Sequence, residues 1–376
     1  MSESYTPSAV ARKGLGAKPL TIYIKPSDRC TVGCTHCYLP EEVRADRTRM
    51  DDATFEATLT SINDMARSQK APGVVIIWHG GEPLSLPPSY LLRLSQWAQR
   101  ALPDAIQGIQ TSLIPYSERW QAIIADQFGG EIGSSVDFTQ RSIKGSTQRY
   151  LDTWMAKVGM ARSHGFTVTP GMVPSRGELG KGVDIARWME ANGFLRWNID
   201  RYNQFKGHDP LRPTNAEHSQ FLTEVFDAVM AQAKRGHIAQ VNTVQAALLG
   251  VVHNRPAERW GGSCSHNFLV INPDGSTNAC PDKISFERFS NIREGYTAFQ
   301  QSPERKAWIR EHLLGHRNSH CSTCPFQTFC RGGCPLTPNT PETEGECSGY
   351  HRHLQHVRAF VAHEPHLAAE YLEALQ

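Results

Sequence analysis

Ten cysteines fall in two groups along 376 residues, and their placement constrains the chain more than any other feature. Cys30, Cys34 and Cys37 stand together, none follows until Cys264, and Cys280, Cys321, Cys324, Cys330, Cys334 and Cys347 complete the set. Ten is too few for a disulfide-built scaffold of this length, and the N-terminal MSESYTPSAVARKGLG has no apolar signal core. Both features predict a reducing, cytoplasmic setting, where clustered thiols serve as metal ligands. Soft thiolates suit iron-sulfur or zinc.

Charge adds an exclusion. With 39 Lys+Arg against 37 Asp+Glu the net charge is +2, which gives no electrostatic drive for nucleic-acid binding. The longest wholly apolar run, Val74 to Trp78, falls far short of the ~20 residues of a membrane span. The length allows roughly two to three domains.

From residue 20 to 200, apolar runs alternate with helical periodicity. Strands are expected at Leu20–Ile24, Val74–Trp78, Ile106–Gln110, Glu131–Val136, Phe166–Val173 and Leu195–Ile199. Helices are expected at Asp52–Arg67, Ser89–Ala101, Ser117–Gln127, Thr147–Ser163 and Val183–Ala191. Six strand–helix pairs predict an α/β fold, a partial (β/α)6 TIM-like barrel with its chemistry at the strand C-terminal ends. A flat doubly wound sheet is the competing topology.

The barrel is expected over 18–205, a bridging helical region over 206–255 with a helix at Glu217–Lys234, a small Cys-rich domain over 256–350 and a final helix over 351–376. Past Gly261 the segments are short and rich in Cys, Gly and Pro, so bound metal must supply much of the stability there.

Cys30-x3-Cys34-x2-Cys37 follows the first strand directly. Three thiolates on one loop can converge on a metal centre and leave a position open. A structural zinc would need a fourth ligand, and His36, between two of the cysteines, is placed to point away. The segment resembles the radical S-adenosylmethionine (SAM) superfamily. The resemblance implies a 4Fe-4S cluster whose fourth iron is chelated by SAM, reductive cleavage of SAM to a 5'-deoxyadenosyl radical, and hydrogen abstraction from an unreactive C–H bond.

Trp78-His79-Gly80-Gly81-Glu82-Pro83 ends the second strand. Its glycines permit close backbone approach to a ligand, and Glu82 offers an acceptor for an ammonium group; alone, it reads first as a plain βα turn. Within the resemblance, Gly80, Gly81, Glu82 and Pro83 match the family's Gly-Gly-Glu-Pro motif, which binds the SAM amino group. Gln110-Thr111-Ser112-Leu113 occupies the place of a family Gln-Thr-Asn-Gly segment, which makes Ser112 a SAM contact. Ser134-Ser135-Val136-Asp137 resembles a Ser-Leu-Asp stretch, which brings Ser135 and Asp137 to the cofactor, and Arg141 is expected at the SAM carboxylate.

The C-terminal spacing, Cys264-x15-Cys280, then Cys321-x2-Cys324-x5-Cys330-x3-Cys334 and Cys347, matches the SPASM domain, with a hairpin at Asn272–Gly275. A zinc ribbon would explain Cys321 and Cys324 alone. The resemblance implies two auxiliary 4Fe-4S clusters, three clusters in all: an outer one on Cys321, Cys324, Cys330 and Cys347, and an inner one on Cys264, Cys280 and Cys334. The inner cluster is one ligand short, to be met by His266, by Glu258, or by an open iron.

The implied function is oxidation of a precursor peptide or protein substrate, first as crosslinking or cyclisation of a ribosomal peptide, alternatively as anaerobic sulfatase maturation of Cys or Ser to formylglycine. A one-electron donor such as flavodoxin or ferredoxin is implied. A non-enzymatic metal module is the reading from another class. Formylglycine makers of this family carry an Asp directly after the second SPASM cysteine; here Pro281 stands there, and Asp282 is the candidate base or a solvated carboxylate. Trp154, Trp188, Trp197 and Tyr202 read as core, with Trp197 and Asp200 candidates for the substrate cavity.

Overall fold

The computed structural model describes residues 19–37, 39–202, 209–257, 260–261, 267–278, 280, 288–314, 319–334 and 336–375. They divide by contact into two compact units. The first lies within Met1–Val136, Arg141–Val168 and Cys264–Trp308, and the second within Asp137–Gln140, Thr169–Ser263 and Ile309–Gln376.

In the first unit β1 (Leu20–Ile24), β3 (Val74–Trp78), β4 (Ile106–Thr111) and β5 (Glu131–Ser135) lie in chain order, each parallel to the one before, with Ile22 opposite Ile76, Trp78 opposite Ile109 and Thr111 opposite Ser134. A doubly wound sheet reverses its order at a switch point. No reversal occurs across these four strands, so the progression is of the barrel kind. On the other side of β1, β10 (Phe268–Ile271) pairs in parallel, and β11 (Thr277–Asn278) returns antiparallel to β10 through the expected hairpin. Apart from these, β2 (Gly33–Cys34) and β6 (Arg141–Ser142) form a two-stranded antiparallel ribbon.

Local chemistry fixes the helices between the strands. Asp51 caps the helix Asp52–Gln69 by accepting from Thr54 N at 2.7 Å, and Arg293 bonds both Asp51 and Thr54, tying the segment after β11 to that helix. Ser146 caps the helix Thr147–Ser163, and Gly129, at φ 60°, ends the helix Gln121–Phe128. Leu20, Ile22, Ile24, Ile76 and Trp78 are fully buried while the residues alternating with them are half-buried, so one face of these strands is packed into the core.

In the second unit β7 (Thr167–Met172), β8 (Arg196–Ile199) and β9 (Gln240–Val241) are parallel, with helices Gly182–Ala191, Asn215–Lys234 and Asn242–His253. Thr214 and Glu217 form a capping box on the helix Asn215–Lys234. The Cys-rich part is built of one-turn helices at Ser319–Ser322, Gln327–Cys330 and Pro341–Glu344.

Two expected elements are corrected. The final helix is two, His351–His363 and Pro365–Ala374, because Pro365 has no N–H and holds Glu364 at ψ 55°, outside the helical range. The helix expected at Ser117–Gln127 begins as a 3-10 turn, Glu118–Trp120, before the helix Gln121–Phe128. Residues 203–208 of the expected Tyr202–Asn215 loop lie outside the described residues. Among the described residues no helix is long and apolar enough to cross a membrane.

Candidate active site

The chain leaves β1 into the cysteine loop, where Cys30, Cys34 and Cys37 are all half-buried. Cys30 N donates to Arg44 O at 3.0 Å, and Val32 N reaches the Cys30 sulfur at 3.5 Å. Burial pushes the Cys30 thiol up to about 12, and Glu82, Cys34 and Cys37 push it the same way, so the three sulfurs and the carboxylate share one neighbourhood. A buried thiol such as Cys30 ionises readily only when a metal supplies the balancing charge, and three sulfurs on one loop are a donor set that fits an iron cluster.

Ribbon β2–β6 clamps this loop. It sets Cys34 opposite Arg141, whose Nη1 donates to the Cys34 sulfur at 3.3 Å while Nη2 meets His36 Nε2 at 3.4 Å. The structure therefore places Arg141 against the cysteine loop itself, and His36 faces a guanidinium.

The turn after β3 shows what its glycines are for. A Cβ on Gly80 (φ 128°) would lie 2.2 Å from Ser27 O, and one on Gly81 would lie 2.2 Å from Asp28 O and 2.4 Å from Arg29 O. Gly81 N donates to Ser27 O at 3.1 Å and Glu82 N to Arg29 O at 2.9 Å. What approaches so closely is the backbone of Ser27 to Arg29, the three residues before Cys30.

Glu82 is buried. Oε1 accepts from Thr111 Oγ1 at 2.5 Å and Leu84 N at 3.0 Å; Oε2 accepts from Ser112 N at 2.7 Å and from Ser112 Oγ. Burial raises its carboxyl above the usual range and these donors pull it back. The side chain thus binds the end of β3 to the end of β4, with Ser112 as its direct partner. Pro83 starts the 3-10 turn Pro83–Ser85 that Glu82 caps.

Leu113 stands where the family segment has Gly. It adopts φ 65°, the left-handed conformation that glycine takes at little cost, and it is fully buried.

Ser134 and Ser135 are held by the chain's own side chains. Trp154 Nε1 donates to Ser134 Oγ at 2.8 Å, Gln110 Nε2 donates to Ser135 Oγ at 3.1 Å, and Tyr150 OH donates to Ser135 O at 2.9 Å. Asp137, almost fully buried, accepts from Gln140 N at 3.0 Å within the second unit. Trp197 is a buried core residue of β8 and Asp200 is exposed.

In the second unit Cys321, Cys324, Cys330 and Cys347 all line one cavity of about 310 Å³, with His320 and His351 on the same walls. Cys334 does not line it. Cys321 and Cys330 are buried, and burial pushes the Cys330 thiol up to about 12 and raises Cys321 and Cys347. Cys324 meets His351 Nδ1 at 3.4 Å. Among the described residues no three His, Cys, Asp or Glu side chains converge on a single-ion site. Four thiols lining one cavity are a donor set that fits a multi-iron cluster. Cys280 is half-buried and makes no disulfide among the described residues; Cys264, Asp282, His266 and Glu258 lie outside them.

Two contributions escaped the sequence reading. Thr111 shares Glu82 with Ser112, and Arg201, one charge in a polar stretch, is buried beside the second cysteine group. Neither carries a spacing signal.

The chain's homologues are anaerobic sulfatase-maturating enzymes, which are radical SAM/SPASM enzymes, and the fold is the one that solved structures of such enzymes share. It is 24% identical to the serine-type anaerobic sulfatase-maturating enzyme of Klebsiella aerogenes over 91% of this chain and 86% of that one. It is 23% identical to the enzyme of the same name from Bacteroides thetaiotaomicron over 92% and 91%. Of solved structures, native anSMEcpe with bound AdoMet, which is SAM, superposes with a TM-score of 0.77 at 16% identity, covering 95% of this chain and 100% of that one. Streptococcus suis SuiB bound to precursor peptide SuiA gives 0.60 at 16% identity, covering 85% and 72%. No family model matches the chain. Relatives that are enzymes along nearly the whole length set aside the non-enzymatic module.

Proposed function

We propose that this enzyme binds SAM between the Cys30–Cys37 loop and the Gly80–Pro83 turn and oxidises a carbon of a peptide or protein substrate by two electrons. The observation that carries the reading is the packing of Gly80 and Gly81 onto the Ser27–Arg29 backbone, which makes the cysteine loop and the Gly-Gly-Glu-Pro turn one rigid site. When bound, the cluster and SAM supply the hydrogen-atom abstraction; the protein supplies orientation and exclusion of water.

The chain's own residues divide the work. Cys30, Cys34 and Cys37 hold three irons and leave the fourth for the SAM amino and carboxylate groups. Glu82 and Ser112 lock the ends of β3 and β4 together next to the turn that would receive the SAM amino group, and Arg141 sets a positive charge beside Cys34. Ser135, the last residue of β5, and Asp137 complete the residues assigned to the cofactor. Cys321, Cys324, Cys330 and Cys347 hold an outer auxiliary cluster, and Cys264, Cys280 and Cys334 an inner one, three clusters in all. The auxiliary clusters would offer an acceptor for the electron that the substrate radical gives up after losing its hydrogen atom, and a flavodoxin or ferredoxin would supply the separate electron that cleaves SAM.

Two products are in view. Formylglycine formation on a sulfatase is favoured by end-to-end coverage of the sulfatase-maturating relatives. Crosslinking or cyclisation of a ribosomal peptide is favoured by Pro281 standing where formylglycine makers carry Asp, with Asp282 one place on as the base.

Anaerobic incubation with SAM, dithionite and candidate peptides tests the reading through 5'-deoxyadenosine release. A serine converted to formylglycine and a new crosslink both lose two hydrogens, so mass alone does not separate them. A hydrazide captures the aldehyde and leaves the crosslink unlabelled. Iron-loaded protein that never splits SAM overturns the proposal.

A further inference from the structure

Arg201 is 7% exposed, two residues past β8. Its Nη1 donates to Thr337 Oγ1 at 3.1 Å and to Ser348 O at 3.0 Å, and its guanidinium lies 4.6 Å from the centre of the Tyr350 ring. Among the described residues Nε and Nη2 are buried without a hydrogen-bond partner, and no carboxylate pairs with the charge. A buried cation with no counter-ion is strongly unfavourable. Something anionic belongs beside it.

The surrounding turn identifies that anion. Ser348 and Tyr350 follow Cys347 directly, and Tyr350 N donates to Cys347 O at 3.1 Å. A Cβ on Gly349 would stand 2.5 Å from the Cys330 sulfur and 3.8 Å from that of Cys347, while one on Gly333 would stand 2.4 Å from Ser348 O. The Ser348–Gly349 backbone is therefore wedged between Arg201 and two cysteines of the 310 Å³ cavity. The charge of Arg201 already favours the Cys330 thiolate against its burial.

We propose that Arg201 is the fixed counter-charge of the outer auxiliary cluster, a positioning residue that holds the Cys347–Tyr350 turn and raises the cluster's reduction potential. The inference rests on Cys321, Cys324, Cys330 and Cys347 holding that cluster. Four thiolates leave a 4Fe-4S centre negatively charged, and one-electron reduction adds a further negative charge without making or breaking a bond. A buried cation nearby stabilises the reduced form, since net charge and exposure set such potentials.

The test is a redox titration of reconstituted full-length protein, with dithionite as reductant and electron paramagnetic resonance as readout, on Arg201→Gln and Arg201→Lys. The SAM-binding cluster is the one whose signal changes when SAM is added. Arg201→Gln is expected to lower one auxiliary midpoint by a tenfold or larger loss in its reduction constant, about 59 mV for one electron, or to lose that cluster's iron, while Arg201→Lys stays near wild type. Unchanged midpoints in Arg201→Gln, or an equal loss of potential or iron in both variants, overturn the inference. Wild-type protein with iron at the first loop alone sinks the cluster reading beneath it instead, and iron analysis before titration distinguishes the two.

Discussion

Gly81 has no room for a methyl group. The atoms in its way are the carbonyl oxygens of Asp28 and Arg29, which are backbone and cannot rotate aside. Gly81→Ala is expected to cost about 3 kcal/mol, the upper end of overpacking penalties, and to abolish SAM cleavage by separating the turn from the cysteine loop. Iron analysis and 5'-deoxyadenosine release check it; a variant that still cleaves SAM at the wild-type rate contradicts the packing argument. His79, next in line, carries a pH dependence. Burial, with Lys25 and Arg141 nearby, lowers its imidazole to about 3 from the usual 6.5, and its Nδ1 is buried with no partner. A depressed pKa means that the folded state holds His79 neutral. Its share of stability is present above pH 6.5 and is lost as pH falls towards 3. Because His79 as a whole is half-buried, that share is about 2–4 kcal/mol at most. His79→Phe should flatten the stability profile between those limits in denaturant melts of the metal-free protein, and parallel wild-type and variant profiles would refute it. At this scale the sequence spoke through spacing. The cysteines and Gly80–Pro83 were legible because their intervals are rigid. The Leu113 conformation and the shared Glu82–Thr111–Ser112 bonds were not, since φ and long-range hydrogen bonds leave no periodic trace.

Elements were legible where one physical cause dominates. β1 and β3 end where their apolar runs end, and the helix Thr147–Ser163 starts at its serine cap. The final helix was misread as unbroken because helical periodicity passes through Pro365, whereas the missing N–H does not. Helix-on-helix contact in the second unit was invisible for a related reason. In the helix Asn242–His253, Gly250 faces Phe329, whose ring would lie 2.4–2.9 Å from an added Cβ, and Phe329 adjoins Cys330. Glycine inside a helix usually lowers stability by ~1 kcal/mol relative to alanine. Here the clash outweighs that gain, so Gly250→Ala should destabilise by about 1–3 kcal/mol. A denaturant midpoint above the wild type would show that Phe329 can move aside.

Across the whole molecule the two compact units draw on both ends of the chain, with residues 264–308 joined to the first and 309–376 to the second. Boundaries drawn in chain order cannot express such a division. The cysteine arithmetic can still be tested on the intact chain. If Cys30, Cys34 and Cys37 serve one cluster and the other seven serve two, reconstituted protein should hold about twelve irons with matching sulfide. Cys34→Ala should remove about four of them and all SAM cleavage, if the first loop is the one that holds the SAM-binding iron. Cys324→Ala should also remove about four, yet leave SAM cleavage without substrate in place, since its sulfur lines the separate cavity of the second unit. The two losses are equal in iron and opposite in chemistry, so the comparison isolates role from stability. SAM cleavage that survives Cys34→Ala would place the SAM iron elsewhere, and cleavage that fails equally in Cys324→Ala would mean that the second cysteine group is part of the same centre.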